Sequence, residues 1–354
     1  MDTPIDSFLL VSFGGPEGPD DVMPFLENVL RGRNVPRERM LAVAEHYQQF
    51  GGISPINAQN RALLAALRDE LAQHGPELPL YWGNRNWKPY LADTLRQMAA
   101  DGRRHAVAFF TSAFSSYSGC RQYRENIAAA QQEVGPQAPR VDKLRMFYNH
   151  PGFVEPSIER VQSAWRQVPE SRRGQARVVF TAHSIPSSMA ERCNYERQLR
   201  DTCQLIMSTL PGTPWQLAYQ SRSGPPTQPW LEPDILDVVR QYAAEGCRDV
   251  VVMPVGFVSD HLEVMYDLDT AAQQVAREVG INLIRAGTVG THPRFVTMIR
   301  ELIVERLAPD GAAASSPDAC PARVALGPLG PAPDVCAVDC CLPPPAPARP
   351  SAAR

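Results

Sequence analysis

Residues 92–116, ADTLRQMAADGRRHAVAFFTSAFSS, lie over residues 236–260, LDVVRQYAAEGCRDVVVMPVGFVSD, without a gap. Arg96 and Gln97 fall on Arg240 and Gln241, Gly102 on Gly246, and Ser115 on Ser259. Each copy reads as an amphipathic helix, a glycine at its end, and an apolar run short enough to be a buried strand. A helix that feeds a buried strand is the crossover unit of a parallel sheet. Any two such units look alike, so a generic explanation stands beside the preferred one. The preferred reading is two similar α/β halves, roughly residues 1–150 and 151–308.

The alternation continues on both sides of each copy. Strands are expected at 7–13, 78–84, 105–111, 176–182, 215–221, 249–255 and 281–287. Helices are expected at 90–102, roughly 187–209, 232–246, from about 260, and 292–307. With 354 residues, 44% hydrophobic and 21% charged, the chain can bury one large or two medium cores. A formal net charge of −3 gives no global reason to expect nucleic acid or an anionic membrane as partner. The start MDTPIDSFLLVSFGG has no basic leader, and no apolar run is long enough to span a bilayer. A cytoplasmic protein is the expectation, and in that compartment eight cysteines do not make a disulfide framework.

From about residue 309 the composition shifts to Ala, Pro, Ser and Gly. Residues 309–354 cannot bury a core of their own and are expected to form a largely disordered tail. The tail nevertheless holds Cys320, Cys336, Cys340 and Cys341, which a plain linker does not need.

Ligands of open parallel sheets bind outside the carboxyl ends of the strands. Two facing halves would bring those ends around one shared cleft. In the first half the ends are SFGGPEG and FTSAFSSYSGCRQY; in the second they are TAHSIP, YQSRSGPPTQPW and PVGFVSDHLEVMYD. His183 closes the strand ARVVFTA. A lone histidine there is often a packing residue, but a carboxylate on a neighbouring strand end changes its meaning. Glu263 and Asp267 lie four apart on one helix face, with Asp260 three before Glu263. Acidic residues in a first helical turn also simply favour the helix dipole. An imidazole and a carboxylate together suit a divalent first-row metal, and equally suit proton transfer near neutral pH.

The loop YQSRSGPPTQPWLEPD carries Arg222, Trp230 and Glu232; it reads either as a rigid surface loop or as an apolar cleft wall built on Trp230. In FGGISPINAQN, Gly51 and Gly52 allow close backbone approach and Ser54 can donate to a carboxylate. Arg31, Arg33 and Arg37 are candidate carboxylate partners or ordinary surface. GGPEG does not match the dinucleotide-binding G-x-G-x-x-G, which weakens a nucleotide-dependent oxidoreductase.

Taken in order and spacing, LLVSFGGPEG, FGGISPINAQN, TAHSIP, YQSRSGPPTQPWLEPD and PVGFVSDHLEVMYDLD resemble the ferrochelatase family over nearly everything up to residue 308. The resemblance implies two Rossmann-like domains, doubly wound parallel sheets, around a porphyrin cleft into which Fe²⁺ is delivered as substrate. It places the family's metal-site histidine on His183 and its glutamate on Glu263, both catalytic. It places porphyrin contacts on Ser54 and Tyr123, with Phe13, Arg31 and Trp230 as further cleft residues, and the metal path on Asp267. Two departures stand out. Phe13 occupies a position where some members have an iron-ligating tyrosine, and Ala271 ends the carboxylate row early. Members without membrane-binding segments resemble the coproporphyrin III enzymes. Protoporphyrin IX, a cobalt or nickel tetrapyrrole chelatase, and a tetrapyrrole carrier without turnover are the alternatives. Haem-pathway enzymes are candidate partners. Some members also hold a [2Fe–2S] cluster on three tail cysteines and one earlier cysteine. Cys336, Cys340 and Cys341 resemble the tail set, residues 150–170 contain no cysteine, and Cys320 is the candidate substitute. Zinc capture and idle thiols are the alternatives there.

Overall fold

The computed structural model describes residues 3–32, 35–225, 227–308 and 323–343. Its centre is two four-stranded parallel sheets. In the first, β1 (Ser7–Ser12) lies between β2 (Leu80–Asn84) and β3 (His105–Phe110), with β4 (Arg140–Lys143) beyond β3. In the second, β5 (Arg177–His183) lies between β6 (Trp215–Gln220) and β7 (Asp249–Met253), with β8 (Asn282–Arg285) beyond β7. The strand order is the same in both halves, as the internal repeat requires. Helices cover the sheets, so β1, β3 and β7 are buried along their whole length and read as continuous apolar runs.

Between β1 and β2 come α1 (Val22–Val29), α2 (Arg37–Gln48) and α3 (Ile56–His74); α4 (Leu91–Ala100) precedes β3 and α5 (Gln122–Val134) precedes β4. Then α6 (Pro151–Trp165) leads into the second half. There α7 (Ser187–Ala190) and α8 (Tyr195–Met207) precede β6, and α9 (Ile235–Ala244) precedes β7. The turn α10 (Leu262–Val264) runs through a π-helical stretch, Met265–Ala272, into α11 (Gln273–Val279); α12 (Pro293–Leu307) follows β8. The repeated helices bury matching stripes: Leu91, Thr94, Leu95 and Met98 in α4, and Ile235, Val238, Val239 and Tyr242 in α9. Among the described residues no helix is long and apolar enough to cross a membrane.

Three details depart from the sequence reading. The edge strand β4, RVDK, is short and mostly polar, so it offers no apolar run to detect. The expected long helix at 187–209 is broken, because Asn194 leaves the helical region between α7 and α8. The helix expected from about 260 starts at Leu262 and is π-wound over most of its first part.

The halves exchange their last helices. Helix α6 packs on α8, β7 and β8, while α12 crosses back onto α3 and β3. Each starts at a His-Pro step whose histidine caps the helix: Nδ1 of His150 accepts from the Gly152 amide at 3.1 Å, and Nδ1 of His292 accepts from the Arg294 amide at 3.2 Å. They cross at Gly152, where a Cβ would stand 2.5 Å from Cβ of Met298. Phe109, Phe147, Phe153 and Phe295 interlock there, with ring centroids 4.8–6.3 Å apart. One apolar core therefore runs through both halves, containing Phe8 and Leu10 from one sheet and Val178 and Phe180 from the other.

Residues 323–343 depart from the expected disordered tail, because they lie against this body. The buried Arg145 guanidinium pairs with Glu305 at 2.7 and 2.8 Å and donates to the Val324 carbonyl at 2.9 Å. Asn149 donates to the Leu326 and Gly330 carbonyls, and Arg121 to those of Val338 and Cys340. Backbone carbonyls captured by side chains of the body leave no trace in composition, which is why this stretch reads as a linker.

Candidate active site

In each sheet the chain builds first to one side of the central strand and then to the other. The carboxyl ends of β5 and β7 therefore flank a topological switch point, the place where ligands of open parallel sheets bind. His183 is the last residue of β5, and the segment after β7 carries Asp260, Glu263 and Asp267. Gly256 lets that segment close onto β5. Its amide donates to the Thr181 carbonyl at 3.0 Å, and a Cβ there would stand 2.6 Å from that of Ala182.

The first half grips the same segment from the other side. Leu262 is buried among Val22, Phe25, Leu26, Ala44, Tyr47 and Trp87. The Asp260 amide donates to Oε1 of Gln59 at 2.9 Å, and Tyr266 stacks on His46 with centroids 3.6 Å apart. The acidic turn thus sits at the junction of the halves, so its position depends on the packing of both.

Nδ1 of His183 lies 2.5 Å from the Ser184 carbonyl, so Nδ1 carries the N–H that donates there and, in the neutral ring, the lone pair is on Nε2. That lone pair faces Oε2 of Glu263 at 3.7 Å, with the two side chains 34% and 48% exposed. Two electron-pair donors face each other across a gap too long for a hydrogen bond. A proton or a cation satisfies both; a first-row dication bonded to each at ~2.1 Å fits between them. Among the described residues no three His, Cys, Asp or Glu are arranged to hold a metal ion.

The remaining carboxylates have distinct duties. Asp260 is paired with the Arg285 guanidinium at 3.0 and 3.1 Å, and Asp269 takes the same guanidinium at 2.6 Å. Asp267 accepts hydrogen bonds from the Ser221 hydroxyl and, at 3.2 Å, from Gln220. Ser221 adopts φ 60°, a left-handed conformation that serine rarely holds, and this aims its hydroxyl at Asp267. Burial pushes the Asp267 carboxyl up to about 6, helped by the nearby charge of Glu263 and opposed by Ser221, His183 and Gln220. Asp267 therefore exchanges a proton near neutral pH. Burial also lowers His261, whose ring meets Phe257 edge-on at 4.9 Å.

The expected porphyrin contacts are spread along the first half and one loop of the second. Phe13 directly follows β1 and meets Phe25 edge-on at 6.2 Å. Tyr123 is buried, stacked on Phe110 at 5.0 Å, and the Arg85 guanidinium lies 4.4 Å from its ring centroid and 5.7 Å from that of Phe13. Ser54 is buried against Gly15; the loop carrying it pairs with the GGPEG loop through Glu17 and Ile53. Gly14, at φ 81°, fits against Asn84, whose Cβ would be 2.8 Å from an added side chain. The two glycine motifs are thus explained by each other and by Asn57, which donates to the Gly15 carbonyl. Arg31 is exposed just past α1, and Arg33 lies outside the described residues. Trp230 covers Gly224, and its backbone pairs with Pro186 beside the His183 strand end. Arg285, Ser221, Gln220 and Arg85 were not singled out from sequence. Arg285 alone left a signal, as a charge ending an apolar strand.

The ferrochelatase family profile matches residues 6–307. The chain belongs to the ferrochelatase family. It is 58% identical to the ferrochelatase of Rhodopirellula baltica over 96% of this chain and 94% of that one. It is 51% identical to a coproporphyrin III ferrochelatase of Streptomyces griseus over 96% of this chain and 93% of that one. Among solved structures, SirB from Bacillus subtilis with Fe³⁺ has a TM-score of 0.53 at 14% identity, covering 85% of this chain and 97% of its own, a likeness of fold. As a ferrochelatase the enzyme takes Fe²⁺ as substrate and inserts it into a porphyrin.

The thiols lie apart from this cleft. Cys336, Cys340 and Cys341 gather where the described part of the tail meets α5, with Sγ of Cys340 and Cys341 3.4 Å apart. Cys320 lies outside the described residues.

Proposed function

We propose that this ferrochelatase inserts Fe²⁺ into coproporphyrin III, with His183 and Glu263 as its metal- and proton-handling pair. The facing of Nε2 of His183 and Oε2 of Glu263 at 3.7 Å carries the reading. Insertion exchanges two pyrrole protons for one Fe²⁺. The Nε2 lone pair accepts a proton from the ring, and the Glu263 carboxylate meets the incoming ion as its water is shed. Asp267, titrating at about 6, stores the second proton or passes the ion inward. Residues 1–150 supply the cleft wall, with Phe13, Arg31, Ser54 and Tyr123, and Trp230 flanks it from the second half. Residues 151–308 supply the metal and proton residues, and 309–354 form the tail. The four propionates of coproporphyrin III suit polar and cationic rim groups such as Arg31 and Ser54. The named coproporphyrin III relative at 51% identity supports the same substrate. A cytoplasmic location and contact with other haem-pathway enzymes accompany this reading.

The test is anaerobic Fe²⁺ insertion into coproporphyrin III and protoporphyrin IX side by side. Faster turnover of coproporphyrin III is expected. A reversed preference assigns protoporphyrin IX; insertion of cobalt or nickel into another tetrapyrrole in place of iron assigns a different chelatase. Tight porphyrin binding with no insertion assigns a carrier.

A [2Fe–2S] cluster belongs to the same proposal. Cys336, Cys340 and Cys341 form a compact thiol group, and a 3.4 Å sulfur separation is close to the ~3.7 Å expected for two thiolates sharing one tetrahedral metal at bond lengths of ~2.3 Å. The neighbouring Cys120 thiol first, and then the cations Lys143 and Arg124, lower Cys336 toward its thiolate. When bound, such a cluster supplies a cross-link among thiolates, and no step of insertion passes through it.

A further inference from the structure

We infer that Gln59 is a positioning residue for the acidic turn, placing Glu263 through the backbone of Asp260. The inference rests on the reading of Glu263 above and concerns only what holds it in place. Gln59 is the fourth residue of α3, the helix that leads into β2. From the first half, its Oε1 accepts the Asp260 amide at 2.9 Å, in the loop that follows β7 of the second half. Gln198 is the fourth residue of α8, the helix that leads into β6. From the second half, its Oε1 accepts the Ser115 amide at 2.7 Å, in the loop that follows β3 of the first half. Strands β2 and β6 hold the same place in their sheets, as do β3 and β7. In the register of the internal repeat Ser115 falls on Ser259, one residue before Asp260. Each half thus reaches across the junction with the same residue type, from the same helix position, to the corresponding loop of the other.

Both captured loops lead into π-wound turns, Tyr117–Arg121 and Met265–Ala272, a winding frequent at functional sites. The first turn delivers the chain to Tyr123; the second carries Asp267 and directly follows α10, which holds Glu263. His183 is fixed at the end of a sheet strand, whereas Glu263 stands on a three-residue turn outside the sheet. Three contacts hold that turn, and they act differently. Leu262 is seated among apolar side chains of the first half, which sets its depth without a direction. Arg285 holds the Asp260 carboxylate from within the second half. Among these three, Gln59 supplies the directional bond from the first half to the backbone, three residues before Glu263. Asp260 is half-buried, so satisfying its amide does not by itself call for a side chain from the other half. Gln198 is buried and adds a second bond, from its amide nitrogen to the Ser115 hydroxyl at 3.0 Å, so the counterpart clamp is built the more firmly.

The experiment compares full-length wild type with Gln59→Met, Gln198→Met and Glu263→Gln in anaerobic Fe²⁺ insertion. For each, kcat and the porphyrin KM are read separately, on the faster of coproporphyrin III and protoporphyrin IX. Methionine keeps the length and helix propensity of glutamine, but its thioether is only a weak acceptor. Gln59→Met should lower kcat ~10–10²-fold, the cost of a displaced reacting group, with the porphyrin KM within about twofold of wild type. Gln198→Met, which loosens the turn leading to Tyr123, should instead raise the porphyrin KM and leave kcat within about twofold. A Glu263→Gln enzyme with wild-type kcat defeats the reading of Glu263 itself. An impaired Glu263→Gln beside a Gln59→Met with wild-type kcat, or with its loss confined to KM, defeats the Gln59 assignment alone. Equal losses of kcat in both glutamine variants mean a general loosening of the junction and defeat it too. Circular dichroism and thermal melts establish that Gln59→Met is folded. If it is not, Gln59→Ala takes its place in the same comparison; if neither folds, Gln59 serves folding and the assignment is overturned.

Discussion

Replacing Asp267 with asparagine should stabilise the enzyme, and by an amount that grows with pH. The carboxyl is raised from 3.8 to about 6, first by burial and then by the charge of Glu263. The folded state therefore holds this proton more tightly than the unfolded chain does. Below both values the side chain costs nothing; as pH rises from 3.8 through 6 the fold loses stability, and above 6 the whole penalty applies. Two units of displacement correspond to ~3 kcal/mol at 1.36 kcal/mol each. Asparagine cannot ionise and escapes it. The hydrogen bonds from the Ser221 hydroxyl and Gln220 to the charged form are already contained in that displacement, since both lower the carboxyl. The advantage is therefore ~3 kcal/mol in alkaline buffer, about 4 °C in Tm for a chain of this size. Thermal melts of both proteins at about pH 4.5 and about pH 8 isolate the effect, since shared ionisations cancel in the difference. A difference in Tm that is flat with pH, or that favours wild type more strongly at the higher pH, would refute the reasoning. Insertion by wild type is expected to rise through about pH 6, and the variant should lack that rise.

Other outcomes follow from the same geometry. His183→Ala should lower insertion roughly 10²–10⁴-fold while fluorescence titration shows porphyrin binding unchanged. Arg285→Met leaves Asp260 and Asp269 without their shared cation and should cost ~3 kcal/mol, read as a lower denaturant midpoint together with a lower rate. Arg145→Met strands Glu305 and releases the Val324 carbonyl; it should cost ~3–5 kcal/mol and speed proteolysis within 323–343.

The sheets were legible because parallel strands covered on both faces must be apolar throughout, and 105–111 and 249–255 carry that mark plainly. The repeat even foretold their matching place in the two sheets. RVDK at β4 was illegible because an edge strand need not be apolar. His183 and Glu263 could be named as strand-end groups, but their meeting depends on Gly256 closing against Ala182 and Leu262 docking on the first half. Arg285 escaped because its role is to neutralise Asp260 and Asp269, a relation among three distant positions.

The exchange of α6 and α12 has a mechanical consequence. A hinge between the lobes would have to tear Phe147 and Phe153 from Phe295 and uncouple Arg145 from Glu305, so opening wide is not a motion this architecture can make cheaply. On the proposed site, a macrocycle held between the lobes meets a vise of nearly fixed gauge.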